Sequence, residues 1–347
     1  MTFALALRRI LPALLAVLLV GVPARVSAEI VWNPQTGWSL EGGSLSGLAG
    51  PEARNALELM NNARRAEDRG SAGSAIGSYS KVAKKYPNSI YAPEALFRAA
   101  HLRLGRKEYF KAFEAFQSLI SRYPNTRRFN EIIGEQYRIA ARLLDGARNH
   151  YWGIIPGFTA RSKGIEYFEI LLVDAPYSDY APLALMSIAR AHQRLGNIEE
   201  AIDALDRLIN NYPQSLLAPD AYLNIAKEHA SLVQGPEYDQ GSTKESITYF
   251  EDFLILFPSD ADVPESEAGL NRMKTMLAES KMKMGDFYFY KRDNYTAARV
   301  FYNEAITAFP DSDVARRAKV RLTQVEAKAA GKPVPGESHK KKRFWLF

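Results

Sequence analysis

Not one of the 347 residues is a cysteine. Within this sequence that excludes disulfides, thiol catalysis, cysteine-ligated zinc and acylation on a cysteine. Histidine is scarce as well. His101, His150, His192, His229 and His339 are scattered, with no pair four residues apart and no accompanying carboxylates, so neither a zinc nor an iron site is expected. There is no glycine-rich loop to cradle phosphate and no nucleophile elbow. The adjacent acids Glu199-Glu200 and Glu251-Asp252 fall on helical segments whose alternate residues face solvent, and they read as solvated charge. The expectation is a protein that is not an enzyme and needs no cofactor. Long apolar runs are also missing. The best, Ile10–Val22, has 13 residues and contains Pro12, short of the ~20 needed to span a bilayer.

That short run has a different reading. Arg8 and Arg9 precede it and Val26-Ser27-Ala28 follow it, the order of a secretory signal peptide, with cleavage expected after Ala28. Loss of residues 1–28 would remove Arg8, Arg9 and Arg25, leaving 42 basic and 39 acidic residues. The formal charge of +6 for the whole chain therefore overstates its basic character. No basic stripe for nucleic acid is expected in the body of the chain.

What the chain does contain is a repeated ending. Tyr86–Ser89 (YPNS), Tyr123–Thr126 (YPNT), Ala175–Ser178 (APYS), Tyr212–Ser215 (YPQS), Phe257–Asp260 (FPSD) and Phe309–Ser312 (FPDS) share a proline in second place. Pro87, Pro124, Pro176, Pro213, Pro258 and Pro310 lie 37, 52, 37, 45 and 52 residues apart. A tetratricopeptide unit is about 34 residues of helix–turn–helix, so each interval holds one unit plus a variable insertion. The fold expected is all-α: a right-handed superhelical solenoid of about six helix pairs with a C-terminal capping helix.

Apolar residues three and four apart place the helices. The expected pairs are 52–69 with 74–85, 92–104 with 107–122, 129–148 with 163–174, 180–195 with 199–211, and 216–233 with 244–256. A long last pair lies within 267–309, and the capping helix covers 312–330. Phe110, Phe113, Phe116 and Ile120 read as an inter-helix stripe, and Phe301, Tyr302 and Phe309 as packing residues. The chain divides into N-terminal repeats, 51–178, and C-terminal repeats, 179–330. Residues 29–50 read as a flexible leader, the alternative being a docking strand anchored by Trp32 and Trp38. The insertion 149–162 carries Tyr151, Trp152, Ile154, Ile155 and Phe158. It either folds back on its own repeat or marks a contact site.

In helix-pair solenoids the first helices line the concave wall, where extended peptides or partner helices bind. Exposed first-helix positions include Asn62, Arg65, Arg98, His101, Glu135, Arg138, Arg142, Arg190 and Gln193. Arginine dominates, and a guanidinium offers several donors in a fixed fork to the carbonyls and carboxylates of a peptide. On the last pair, Arg299 and Asn303 are the candidate positions for docking a partner. The tail ends in Lys340, Lys341, Lys342, Arg343, Phe344, Trp345, Leu346 and Phe347. Four cations beside three aromatics suit peripheral contact with an anionic bilayer. A disordered tail, and a peptide docked in a partner's groove by Phe347, are the alternatives.

The stretch LAESKMKMGDFYFYKRDNYTAARVFYNEAITAFPDSDVARRA, with the preceding YPQS and FPSD motifs, resembles the BamD family, the periplasmic tetratricopeptide component of the outer-membrane β-barrel assembly machinery. The likeness runs over roughly 164–321. It implies that the C-terminal repeats dock the subunit BamA, that the N-terminal groove receives unfolded outer-membrane protein segments, and that the protein works in the periplasm at the outer membrane. The family is normally anchored by a lipid on the cysteine that begins its mature chain and usually has fewer than six proline-closed units; this sequence departs on both points. An alternative is a coordinator of envelope constriction or wall synthesis like the repeat domain of CpoB, which a long coiled-coil segment would mark; the sequence has none.

Overall fold

A computed structural model describes residues 29–41 and 51–333. The expected signal segment and the basic-aromatic residues Lys340–Phe347 lie outside the described residues. Thirteen helices form among those described. In order they are α1 (Pro51–Asp68), α2 (Ala72–Lys85), α3 (Tyr91–Gly105), α4 (Tyr109–Arg122), α5 (Phe129–Leu144), α6 (Arg161–Asp174) and α7 (Tyr180–Leu195). Then come α8 (Ile198–Asn211), α9 (Ala218–Ser231), α10 (Gly241–Leu256), α11 (Val263–Lys291), α12 (Tyr295–Ala308) and α13 (Asp313–Ala329). They make six pairs and a closing helix. Two antiparallel hairpins accompany them: β1 (Glu29–Asn33) with β2 (Gly37–Glu41), and β3 (Arg148–Tyr151) with β4 (Ile155–Thr159). The chain forms two compact units that meet at Tyr167–Phe168, inside α6, whereas the sequence pattern divides it at the loop after that helix.

The proline motifs work as one repeated turn. Proline fixes φ near −65° at the second position, and the carbonyl before it then accepts the N–H three residues on. That bond recurs from Ser89 to Tyr86 (3.0 Å), Thr126 to Tyr123 (3.0 Å), Ser178 to Ala175 (3.1 Å), Ser215 to Tyr212 (2.9 Å), Asp260 to Phe257 (3.1 Å) and Ser312 to Phe309 (3.2 Å). The fourth residue then helps start the next helix. Ser89 and Ser215 hydroxyls accept the N–H two residues on, at 3.2 Å each, and Ser312 accepts from Ala315 N at 3.0 Å as an N-cap. Where the interval is 37 residues, the tyrosine also reaches back to the preceding turn. The Tyr123 hydroxyl donates to the Pro87 carbonyl (2.5 Å), and the Tyr212 hydroxyl to the Pro176 carbonyl (2.6 Å).

The pairs bury the stripes that the spacing predicts. Phe113, Phe116 and Ile120 of α4 are buried and Phe110 is half-buried. At the C-terminal end, Ala278, Met282, Phe289, Ala298, Tyr302, Ala305, Val314, Ala318 and Val325 form one cluster. Gly285 lets α11 and α12 close up, because a Cβ there would sit 2.6 Å from the Tyr302 ring. Tyr302 is fully buried and its hydroxyl donates to Asp286 Oδ1 (2.7 Å). Phe301 is only half-buried, its ring stacked on Tyr288 at 5.3 Å, so the packing role expected of it is partial. Helix α11 has 29 residues and serves two pairs. Met273 in its first half packs with Phe250 and Phe253 of α10, and its second half faces α12.

The flexible leader expected at 29–50 is corrected for residues 29–41, which form the β1–β2 hairpin. Trp32 pairs with Trp38 across the strands, their rings 5.4 Å apart. Trp38 is 4 % exposed and belongs to the core of the first pair, with Met60, Tyr79 and Val82. Burial of an aromatic ring outweighs the looseness usual at a chain end.

Candidate interaction surfaces

The first helices of the N-terminal unit, α1, α3 and α5, carry a chain of ion pairs. Arg64 Nε lies 2.9 Å from Asp68, and its guanidinium lies 3.4 Å from Glu67. Arg98 bridges Glu94 (3.0 Å) and Glu67 (3.9 Å). Arg128 joins Glu94 (3.1 Å) to Glu131 (2.9 Å), so the series crosses from helix to helix. Aromatic rings back the same arginines. Arg64 sits 4.7 Å over Trp32, Arg98 4.9 Å over Trp38 and Arg128 4.4 Å over Phe97. Tyr79 donates to Glu67 Oε2 (2.9 Å), and burial and this carboxylate raise its pKa. The result is a near-balanced polar wall rather than the basic one the sequence suggests, with arginine forks already held by carboxylates.

The predicted groove residues fall unevenly on this wall. Arg98 is inside the network. Arg138 pairs with Glu135 and is half-exposed, Arg65 bonds the Asn62 side chain, and Arg142 is exposed on α5. His101 is not an exposed specificity residue. Its ring lies 4.4 Å from Phe97 and 5.5 Å edge-on to Phe116, and burial lowers its pKa against the opposing pull of Glu135 and Glu131. Four residues after Phe97, it completes an aromatic stripe. Arg190 belongs to the other unit, exposed on α7. The sequence reading missed Arg64, Glu67, Glu94 and Arg128. The Glu94–Arg98 spacing of four was a usable signal; the cross-helix pairs had none.

In the C-terminal unit, Arg299, Asn303 and Thr307 form an exposed line on α12. Asn303 borders a shallow cleft of about 540 Å³ with Leu277, Val300 and the Lys281–Glu304 ion pair (2.6 Å). A larger cleft of about 980 Å³ lies between the Ala175–Ser178 and Tyr212–Ser215 turns. Its rim carries Tyr177, 98 % exposed, and Leu216, 97 % exposed. Sequence reasoning passed over it, although an apolar residue in or just after a turn motif marks both positions.

The insertion is attached to the turn between α3 and α4. It forms the β3–β4 hairpin, with Tyr151, Trp152 and Phe158 all exposed.

Comparison with known proteins follows this geometry closely at the C-terminal side. Residues 94–126, which make up most of α3 and α4, match the tetratricopeptide repeat. The chain is 22 % identical over 127 residues to the outer membrane protein assembly factor BamD of Caulobacter vibrioides, covering 37 % of this chain and 42 % of that protein. It is 21 % identical over 155 residues to BamD of Xylella fastidiosa (strain 9a5c), covering 42 % and 53 %. The chain thus spans about half the length of the curated relatives it matches. A solved tetratricopeptide repeat protein from Parabacteroides merdae aligns over 79 % of this chain and 99 % of its own, at 15 % identity and a TM-score of 0.31. The pattern of the YfiO family, described as outer membrane lipoprotein, matches residues 160–335, half of the sequence and all of α6 to α13. The chain belongs to that family.

Proposed function

We propose that the protein is a non-catalytic scaffold that takes part in the assembly and insertion of outer-membrane β-barrel proteins, working in the periplasm at the outer membrane. The observation that carries this reading is the family match over 160–335, supported by relatives that are themselves outer membrane protein assembly factors. In this reading the exposed line on α12, with Arg299 and Asn303, docks the assembly subunit BamA. The polar wall of α1, α3 and α5 receives unfolded outer-membrane protein segments. A wall of paired charges suits that role, because each guanidinium keeps donors beyond those its carboxylate occupies. These donors can meet backbone carbonyls without leaving a buried charge unpaired.

Depletion of the protein in cells tests the process. Levels of folded, heat-modifiable barrel proteins should fall; unchanged levels overturn the assembly reading. A photo-crosslinking residue in place of Asn303 tests the docking face, and should capture BamA. Capture from Glu58 on α1 instead would move the docking site to the other unit.

A further inference from the structure

The β3–β4 hairpin displays an apolar surface that its own fold holds away from the core. Phe158 is 94 % exposed, Ile154 80 % and Trp152 68 %, and Tyr151 and Ile155 are exposed beside them. This is not slackness. The hairpin is fixed to the turn between α3 and α4 at three points. The His150 N–H donates to the Lys107 carbonyl (2.8 Å), and the buried Asn149 side chain accepts from Phe110 N (3.0 Å). Arg106, itself 2.9 Å from Glu108, donates to the Trp152 carbonyl. Trp152 and Lys107 both sit at positive φ, 53° and 59°, a costly conformation for side chains of that size. Strain at an exposed tryptophan, over-determined by three polar contacts, is a pattern found at binding surfaces.

The charge around the hairpin selects what it meets. From Gly146 to Ile165 there is no aspartate or glutamate, while Arg148, Arg161 and Lys163 flank the strands. Arg148 and Arg161 are exposed, and Lys163 also holds Glu166. Tyr151, Trp152 and Ile154 at the tip, with Phe158 nearer the base beside Thr159, the partner of Arg148, match the layering of a lipid interface. Rings settle at the headgroup boundary and cations meet phosphates.

The geometry points to the β3–β4 hairpin as a membrane-touching element that inserts Trp152, Ile154 and Phe158 into the interface of an anionic phospholipid bilayer. It is a different element from the docking face and the polar wall, and it does not depend on either. It orients the N-terminal unit with the α3–α4 turn toward lipid.

The absence of cysteine gives a clean test in the full chain. One cysteine is placed at Phe158→Cys and, separately, at the exposed Glu58→Cys, each labelled with a polarity-sensitive dye. With vesicles of equimolar phosphatidylethanolamine and phosphatidylglycerol, the dye at 158 should shift to the blue, and the dye at 58 should not. The shift should vanish on phosphatidylcholine vesicles. Arg148→Gln with Arg161→Gln should weaken vesicle binding on the order of tenfold at low salt. Trp152→Ser should weaken it several-fold with unchanged helicity. A dye at 158 that stays in water while the protein sediments with vesicles would overturn the proposal, since another segment would then hold the membrane. So would a dye at 158 that reports only on adding envelope proteins without lipid, which would make the hairpin a protein contact. Failure of the barrel-assembly reading would leave these spectra unchanged.

Discussion

Two hairpins in one unit put similar aromatic sequences to opposite ends. In β1–β2, Trp32 and Trp38 turn inward, under Arg64 and Arg98, and Trp38 is nearly closed off from solvent. In β3–β4, Trp152 and Phe158 face out, and what is buried is polar, namely Asn149. The first hairpin packs on the apolar face of the α1–α2 pair, which no preceding helix covers among the described residues. The second is held to the turn between α3 and α4 by backbone and Asn149 hydrogen bonds rather than by its rings. What each hairpin is held by, more than its composition, decides whether its aromatic residues become core or surface.

Substitutions can break this contrast at several strengths. Trp38→Ala should be the most damaging, costing about 3–5 kcal/mol in chemical denaturation of the N-terminal unit, because a buried ring leaves a cavity. A loss under about 1 kcal/mol would show that the hairpin is an ornament on the first pair. Asn149→Ala should come next, at about 1–3 kcal/mol, because the Phe110 N–H would lose its buried acceptor. Hydrogen exchange at Phe110 should rise with it, and an unchanged exchange rate would contradict that bond's role.

The pH response should be smaller and has a definite sign. His101 has its pKa depressed by burial among Phe97 and Phe116, so the folded unit disfavours the proton. Its contribution is fully present above the unfolded value, about 6.5. It is lost as pH falls through the lower folded value. The denaturation midpoint of the N-terminal unit should therefore decline on acidification below about pH 6.5, less so in His101→Phe. Equal declines in both proteins would assign the effect to other groups. Trp152→Ala should do least, changing stability by no more than about 0.5 kcal/mol, as expected of an exposed side chain. A loss comparable to that of Trp38→Ala would erase the distinction between the hairpins.

The helix pairs were legible because two independent signals agreed, apolar spacing inside each helix and a proline turn after it. Helix α7 was readable to the residue, and most others to within one or two. The hairpins were barely legible: strand structure at Trp32 and Trp38 was only the alternative to a leader, and nothing marked β3 and β4. Strands of four or five residues give too few alternations to separate a strand from a loop. The polar wall was half legible. Of its arginines only Arg98 stood out at a first-helix position, and its pairing with Glu67 depends on how neighbouring pairs stack. His101 misled because a histidine four residues from a phenylalanine reads equally well as polar face or aromatic stripe. Phe301 and Tyr302 show the same limit at the other end. Both lie on the apolar side of α12, and only Gly285 opposite decides that Tyr302 takes the centre.

The loops themselves differ in kind. Between successive pairs they are always four to six residues long; within pairs they range from two residues, at 196–197, to sixteen, at 145–160. The proline turn sets where the next pair begins, and its length stays within a narrow range. Loops inside a pair keep to no such range, since the two helices they join are already registered by their own contact. Long insertions therefore belong in alternate loops, and a tag or foreign epitope placed at 196–197 should be carried without disturbing the rest, whereas the same insert at Asn88 should disturb the packing of α2 against α3.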